Sequence, residues 1–255
     1  MAISEEQRAY VASAREFAQA EFRPNAAQWD ESSIFPKPAL KAAGDLGFMG
    51  MYTPVDAGGL GMPRLDASLI VEELARGCTT TAAFLTIHNM ATAMIGKYCQ
   101  QSVIDNWCPS LVAGETLASY CLTEPGAGSD AASLRTTATR DGDSYRLNGS
   151  KVFISGAGDT DVLVVMARTG DSGARGITAF LVPADLEGIT YGKKESKIGI
   201  RLSISTIILT FIFVYIEWVG RENEYGIEKI GLKWNKTLKY SMYYAIIIII
   251  FWALF

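Results

Sequence analysis

The sequence between Leu117 and Pro183 is a succession of short apolar or β-branched runs separated by turns, with no stretch long enough for a crossover helix. A doubly wound parallel sheet requires such helices, whereas turns such as Asp141-Gly142 and Asn148-Gly149 join antiparallel strands. We therefore predict a small antiparallel β-barrel in this region. The predicted strands are residues 118–123, 133–140, 144–147, 151–155, 162–168 and 176–183.

The residues before this region have the spacing of helices. Ser4 and Gln7 form a capping-box pattern, and apolar side chains then recur every three or four residues. The glycine-rich segment 54–61 predicts a loop, because glycines weaken helices. We predict an α+β fold, with a helical domain over residues 1–118 and a β domain over residues 119–210. The apolar positions on the buried face of the first helix are Tyr10, Val11, Ala14, Phe17 and Ala18.

The composition changes near residue 200. Residues 201–255 contain no proline, cysteine or aspartate and are rich in isoleucine, so we predict a hydrophobic tail over residues 211–255. The apolar stretches 204–219 and 240–255 are both shorter than the roughly 20 residues of a bilayer span. Residues 204–255 are therefore interpreted as marginal membrane segments, or as a buried strand pair or aggregation-prone end. A third interpretation is that residues 201–255 form helices that replace a missing domain.

Charge and metal-ligand chemistry narrow the possible functions. The chain has 23 Lys and Arg against 27 Asp and Glu, and no basic cluster suited to nucleic acid. His88 is the only histidine, and no cysteine pair has zinc-ligand spacing, so we predict no metal site and interpret His88 as a buried helix residue. The four cysteines, with no secretory signal before them, predict buried thiols in a reducing, cytoplasmic compartment.

Two polar turns are the candidates for chemistry. The segment YCLTEPGAGSD, residues 120–130, places backbone amides and hydroxyls at the end of a strand, where glycines allow close approach of a ligand. Gly126, Gly128 and Ala131 satisfy a dinucleotide pattern, but no helix follows them to hold a pyrophosphate. The segment FISGAG, residues 153–158, offers an aromatic ring and a hydroxyl two residues later, which suits a flat ring with a polar edge.

The chain from about residue 4 to residue 201 resembles the acyl-CoA dehydrogenase family, including its members that act on short branched acyl-CoAs such as isobutyryl-CoA. The resemblance rests on the two turns and on the segments at 88–90, 147–158 and 176–182. It implies an FAD-dependent α,β-dehydrogenation in fatty-acid or branched-chain amino-acid catabolism. It also implies an electron-transfer flavoprotein as acceptor and assembly into a homo-oligomer.

Carried over position by position, the resemblance implies that both turns line FAD. Thr123 would lie near the pyrimidine edge of the flavin, Phe153 against the ring and Ser155 toward N5. Ser129 would also contact the arm of the acyl-CoA substrate. The implied cofactor-binding residues are Tyr120, Cys121, Leu122, Thr123, Glu124, Pro125, Gly126, Ala127, Gly128, Ser129, Phe153, Ile154 and Ser155.

No catalytic residue is predicted in this sequence. The family's carboxylate base belongs to a C-terminal four-helix domain, and nothing after Arg201 matches its motif. We therefore expect a truncated dehydrogenase without its base. Residues 213–255 instead resemble the end of membrane-bound O-acyltransferases. The alternative function is a non-catalytic protein that its tail anchors to a membrane.

Overall fold

A computed structural model describes residues 3–195 and 204–215. The N-terminal part is helical, as predicted, and a single π-helical turn, Ala18–Phe22, extends the first helix. The loop predicted at residues 54–61 is present and contains one 3-10 turn, Val55–Ala57. The helices are α1 (Glu5–Phe17), α2 (Ala26–Glu31), α3 (Lys37–Asp45), α4 (Arg64–Gly77), α5 (Thr79–Tyr98) and α6 (Gln101–Val112).

Helix α1 begins as the sequence predicts. The Ser4 hydroxyl accepts a hydrogen bond from the Gln7 amide at 3.1 Å, and the Gln7 side chain accepts one from the Ser4 amide at 2.9 Å. These two bonds satisfy amides that a helix N-terminus leaves without partners. On the predicted inner face, Ala14 and Phe17 are buried.

Within the described residues, the β domain is one sheet of seven strands. Across the sheet, the order of hydrogen-bonded neighbours is β1-β4-β2-β3-β7-β6, and β5 also pairs with β4. The strands are β1 (Ala118–Cys121), β2 (Thr137–Asp141), β3 (Ser144–Ser155), β4 (Val162–Arg168), β5 (Ile177–Pro183), β6 (Ile189–Tyr191) and β7 (Ile204–Tyr215).

The sheet is mixed, so the prediction of an antiparallel barrel is only partly right. β1 lies parallel to β4, with Ala118 opposite Val162, and the start of β2 is also parallel to the end of β4. The connection from β1 to β4 passes through the β2–β3 hairpin, which makes a parallel return possible without a helix. The other pairings are antiparallel.

The second predicted hairpin turn is absent. Strand β3 runs without interruption from Ser144 to Ser155, and Gly149 lies at a shift in its register with β7. A Cβ at Gly149 would lie 2.7 Å from the Cα atom of Thr136. Gly149 is therefore needed for a close approach of backbones within a bulge, and not for a reversal of the chain. The first predicted turn, at Asp141-Gly142, is present.

The stretch at residues 204–215 is a strand of the sheet, as the interpretation of a buried strand predicts. β7 pairs with β3 and β6, and its inward side chains include Ile207 and Ile212, both fully buried. The predicted limit of the β domain, residue 210, falls inside this strand. Residues 216–255, with the predicted tail and its second apolar stretch, lie outside the described residues. Among the helices of residues 3–195, none has the length and hydropathy of a membrane span.

Strand β4 is buried on both faces, which explains its unbroken apolar sequence. Val162, Val164 and Met166 pack in one cluster with residues of α5 and α6. Leu163 and Val165 pack in a second cluster with inward residues of β3 and β7. The sheet is thus fixed against the helical domain on one side and curls over its own core on the other.

Candidate functional site

The two polar turns predicted from the sequence lie side by side. The Val152 amide in β3 donates a hydrogen bond to the carbonyl oxygen of Thr123 at 2.9 Å. Ser119 lies directly before the first segment, and its hydroxyl donates to the carbonyl oxygen of Ser155 at 2.7 Å. The segments after β1 and at the end of β3 are therefore neighbours in the structure, joined by hydrogen bonds.

The carboxylate of Glu124 is fixed on several sides. It accepts hydrogen bonds from the backbone amides of Arg135 at 2.6 Å and Thr136 at 2.9 Å, and from the Lys151 ammonium at 2.7 Å. Burial acts to raise the pKa of this carboxyl, but the bonds from Lys151 and the two amides outweigh burial and lower it. Glu124 therefore stays ionised and structural.

Lys151 is fully buried although it is a charged residue in a strand. Its ammonium donates to Glu124 and to the carbonyl oxygen of Leu122, the latter at 3.1 Å. Burial lowers the pKa of the Lys151 ammonium, and the neighbouring carboxylate opposes that change. Sequence reasoning missed this residue. The one available signal was a lysine in an otherwise apolar or hydroxyl-bearing strand end, KVFIS.

The glycines of the first turn leave open space. Gly126 and Gly128 are exposed, and a Cβ at either would meet no atom within 4 Å. Neither glycine has a left-handed φ angle. Since glycine makes the unfolded chain more flexible and so lowers stability, the fold itself gives no reason for glycine at these positions.

Phe153 presents its ring to solvent. The side chain is 62% exposed, and the residue has a φ angle of 58°, in the left-handed region that non-glycine residues rarely adopt. It lies within a second register shift of β3, between Lys151 and Ile154. Ser155 is half-buried and Ile154 is buried, so Phe153 and Ser155 are the more accessible side chains of this segment.

The other predicted site residues divide by exposure. Pro125 and Ser129 are exposed, whereas Tyr120, Leu122 and Thr123 are half-buried. Three predicted residues have side chains packed inside the protein and offer only backbone groups to a ligand. These are Cys121, Ala127 and Ile154.

An open cavity of about 610 Å³ begins next to Ser129, at Asp130. Its wall is held by Arg168 at the end of β4, whose guanidinium donates to the carbonyl oxygens of Ala132 at 2.8 Å and Gly173 at 3.1 Å. Sequence reasoning treated Arg168 only as the last residue of a strand. Its role depends on loops from two separate parts of the chain, which local sequence does not show.

His88 is a buried helix residue, as predicted. Its Nδ1 atom accepts a hydrogen bond from the Ala118 amide at 3.0 Å, so Nε2 carries the proton and donates to the carbonyl oxygen of Leu111 at 3.0 Å. Burial lowers its pKa to about 4. His88 is thus a neutral link between α5, the end of α6 and β1.

All four cysteines lie within the described residues and are free thiols, as the sequence predicts. Cys78, Cys108 and Cys121 are buried, and Cys99 is partly exposed. Burial raises the pKa of Cys108 to about 11 and that of Cys121 to about 12. These thiols are therefore protonated and poorly reactive at neutral pH.

Most of the chain matches the domains of a known protein family. Residues 4–115 match the N-terminal domain of acyl-CoA dehydrogenases, and residues 119–211 match the middle domain. The chain belongs to the acyl-CoA dehydrogenase family. The resemblance predicted from the two turns is confirmed, and so is the succession of a helical domain and a curled β-sheet domain.

Individual acyl-CoA dehydrogenases are similar over most of this chain. Mitochondrial isobutyryl-CoA dehydrogenase of Bos taurus is 49% identical over 199 residues, which are 78% of this chain and 48% of that protein. Butyryl-CoA dehydrogenase of Megasphaera elsdenii has a TM-score of 0.77 at 32% identity, covering 84% of this chain and 58% of the other. Glutaryl-CoA dehydrogenase of Mycobacterium smegmatis, solved with FADH2, has a TM-score of 0.78 at 31% identity, covering 84% and 54%. The chain thus spans about half the length of the curated acyl-CoA dehydrogenases that it matches.

Proposed function

We propose that this chain provides the FAD-binding face of an acyl-CoA dehydrogenase that acts on a short branched acyl-CoA such as isobutyryl-CoA. The observation that carries the proposal is the hydrogen bonding of the segment with the open glycines, through Thr123, to the strand segment that bears the exposed Phe153, through Val152. The open space over the glycines fits close approach of a ligand to the backbone. The 49% identity to isobutyryl-CoA dehydrogenase supports the substrate class.

The residues present fit an isoalloxazine ring. Phe153 would lie against the flat ring, Ser155 would donate toward N5, and Thr123 would face the pyrimidine edge. Ser129 would contact the acyl-CoA arm, beside the cavity that starts at Asp130. When bound, FAD supplies the acceptor for the hydride that leaves the substrate β-carbon as a base removes the α-proton.

The chain's own contribution is to bind and orient. The Glu124 carboxylate cannot serve as the base, because Lys151 and two backbone amides occupy it and lower its pKa. We place the carboxylate base outside residues 3–195 and 204–215.

Electron-transfer flavoprotein is the proposed acceptor, since the electrons taken from the substrate must leave the site. Assembly into a homo-oligomer is proposed as well. The division at residues 118 and 119 into helical and β domains is kept as part of this proposal.

The test is titration of the full 255-residue chain with FAD, followed by the change in flavin absorbance and by quenching of flavin fluorescence. Gly128→Ala places a methyl group in the open space over the turn. We expect it to weaken FAD binding about tenfold, or about 1.4 kcal/mol, while the unfolding temperature stays unchanged or rises slightly.

The matched control is Gly170→Ala. Gly170 also lies in an exposed loop without a left-handed φ angle, and its added Cβ would make an ordinary contact at 3.4 Å. This variant should bind FAD like the unaltered chain. Absence of any flavin signal at saturating FAD in the unaltered chain would contradict the proposed function, and equal affinities of the three proteins would contradict the assignment of the turn.

A further inference from the structure

We propose that Lys151 and Glu124 are positioning residues, which hold the glycine turn and the Phe153 segment at the spacing that FAD requires. This inference rests on the proposed flavin-binding function and goes beyond it, because neither side chain would contact the cofactor. Lys151 is fully buried, and Glu124 is 7% exposed.

The ion pair connects the two segments at their bases. Lys151 belongs to β3, two residues before Phe153, and its ammonium binds Glu124 at 2.7 Å and the carbonyl oxygen of Leu122 at 3.1 Å. The next residue in β3, Val152, donates to the carbonyl oxygen of Thr123. Three successive residues of the turn segment, 122–124, are thus bound by two successive residues of β3.

Glu124 extends the same connection to the chain beyond the turn. Its carboxylate accepts hydrogen bonds from the backbone amides of Arg135 and Thr136, the residues directly before β2. A second pair of hydrogen bonds, between the backbones of Glu124 and Ala127, closes the turn itself. The segment from Glu124 to Thr136, which contains the glycine turn, is therefore closed by one carboxylate.

Phe153 has a left-handed φ angle and lies between Lys151 and Ile154, whose side chains are both held in place. Lys151 is anchored by its ammonium on one side, and the buried Ile154 packs in the sheet core on the other. The register shift of β3 falls between them, and Phe153 adopts its left-handed φ angle there. Strained residues persist where the surrounding structure holds them, and they concentrate at functional sites.

Stability alone does not account for a buried ion pair. Removing two charges from water costs about as much as their attraction returns, and well-packed apolar residues often replace such a pair without loss. A fixed pair does specify one geometry, since only one arrangement satisfies both charges. We therefore assign the pair to geometry at the site.

The experiment compares FAD binding by the full chain and by Lys151→Met at about pH 8 and about pH 6. Loss of the ammonium removes the strongest contact that lowers the pKa of Glu124, so the pKa is higher than in the unaltered chain, and a protonated carboxyl accepts hydrogen bonds from the two amides more weakly. We expect FAD affinity to fall about tenfold at the higher pH and further at the lower pH. The unaltered chain should show no such pH dependence, because Glu124 remains ionised. The neighbouring Cys121 thiol, with its pKa raised to about 12, stays neutral at both values.

Glu124→Gln is the second variant, and it keeps the shape of the side chain. It should also lose about tenfold in FAD affinity, because its amide nitrogen is a donor and cannot accept a hydrogen bond from a backbone amide as the carboxylate oxygen does. Hydrogen exchange of the Val152 amide, measured without FAD, should become faster in both variants, which reports loosening of the turn independently of binding.

The control for general destabilisation is Glu73→Gln, which breaks the ion pair of the largely buried Glu73 with Arg15 in the helical domain. It should lower the unfolding temperature and leave FAD affinity unchanged at both pH values. The positioning role is wrong if folded Lys151→Met and Glu124→Gln bind FAD as the unaltered chain does. Failure of the unaltered chain to bind FAD would instead overturn the proposed function, so the two failures are distinguishable.

Discussion

The backbone amide of Ala118, the first residue of β1, donates a 3.0 Å hydrogen bond to Nδ1 of His88 in the middle of α5. This bond joins the first strand of the sheet to α5 through one neutral imidazole. Protonation of Nδ1 would place two donors face to face, and the fully buried cation would have no counterion among the contacts of the ring.

We predict that stability falls as the pH is lowered from about 6.5 to about 4 because of His88. The folded-state pKa of about 4 lies below the unfolded value of 6.5, so the unfolded chain binds the proton first. The contribution is fully present above pH 6.5 and is lost by pH 4, and it amounts to about 3 kcal/mol at about 1.4 kcal/mol per pH unit. Urea unfolding at a series of pH values measures it.

The control for this prediction is His88→Gln, which cannot titrate in this range. Carboxylates contribute to acid unfolding in both proteins, so the difference between the two pH profiles isolates the histidine. Parallel profiles would contradict the prediction.

A second prediction separates neighbouring isoleucines of β7. Ile207 is fully buried against the inner core, whereas Ile208 is 44% exposed on the opposite face. Ile207→Asp places an unpaired charge in that core, and we expect it to prevent folding or to cost more than about 4 kcal/mol. Ile208→Asp should cost no more than about 1 kcal/mol. Circular dichroism and urea unfolding of the full chain decide, and equal effects would mean that the register of β7 is wrong.

A third prediction concerns the pair Phe153 and Ile154. Phe153→Ala should change the free energy of unfolding by no more than about 0.5 kcal/mol, because the ring is mostly exposed. Ile154→Ala, at 2% exposure, should cost about 2 to 5 kcal/mol. FAD titration should show the reverse order, with the larger loss of affinity in Phe153→Ala. If Phe153→Ala binds FAD as the unaltered chain does, its ring does not lie against the flavin.

A fourth prediction tests the bulge at Gly149. Gly149→Ala would place a Cβ 2.4 Å from the hydroxyl and 2.7 Å from the Cα atom of Thr136. Because backbone must move to admit it, we expect a loss of about 1 to 3 kcal/mol in urea unfolding. Gly126→Ala, which meets no atom within 4 Å, is the control and should unfold at the same urea concentration or a higher one. Equal stability of the two variants would contradict the close approach to Thr136.

The sequence predicted the parts of the fold that local patterns determine. The capping box at Ser4, the turn at Asp141-Gly142 and the buried strand at Val162–Arg168 each depend on a few neighbouring residues. Asn148-Gly149 has the same local signal as a hairpin turn, but Gly149 instead allows β3 to pass close to Thr136. Such a contact joins distant parts of the chain, and local spacing does not reveal it.

The same distinction holds at the candidate site. The two turns were recognisable by their glycines, hydroxyls and Phe153, and they lie together in the structure. The ion pair beneath them was not predicted, since nothing near Glu124 in the sequence indicates that Lys151 will be its partner. For a related reason, the sequence alone does not decide between a strand, a membrane segment and a helix for residues 204–215. A short apolar run has the same composition in a sheet core and in a membrane, and only its pairing with β3 distinguishes the two.

The pairing of β3 with β7, from Ser155 opposite Ile204 to Ser144 opposite Tyr215, has a consequence for biosynthesis. The β2–β3 hairpin and the β4–β5 pair leave the ribosome well before β7. The edge of β3 that pairs with β7 therefore stays unpaired while translation continues. Contacts between residues far apart in sequence form late because the loop between them must close first. The nascent chain therefore leaves the backbone groups along this edge of β3 unpaired until β7 arrives, and such an edge can pair wrongly with another chain in that interval.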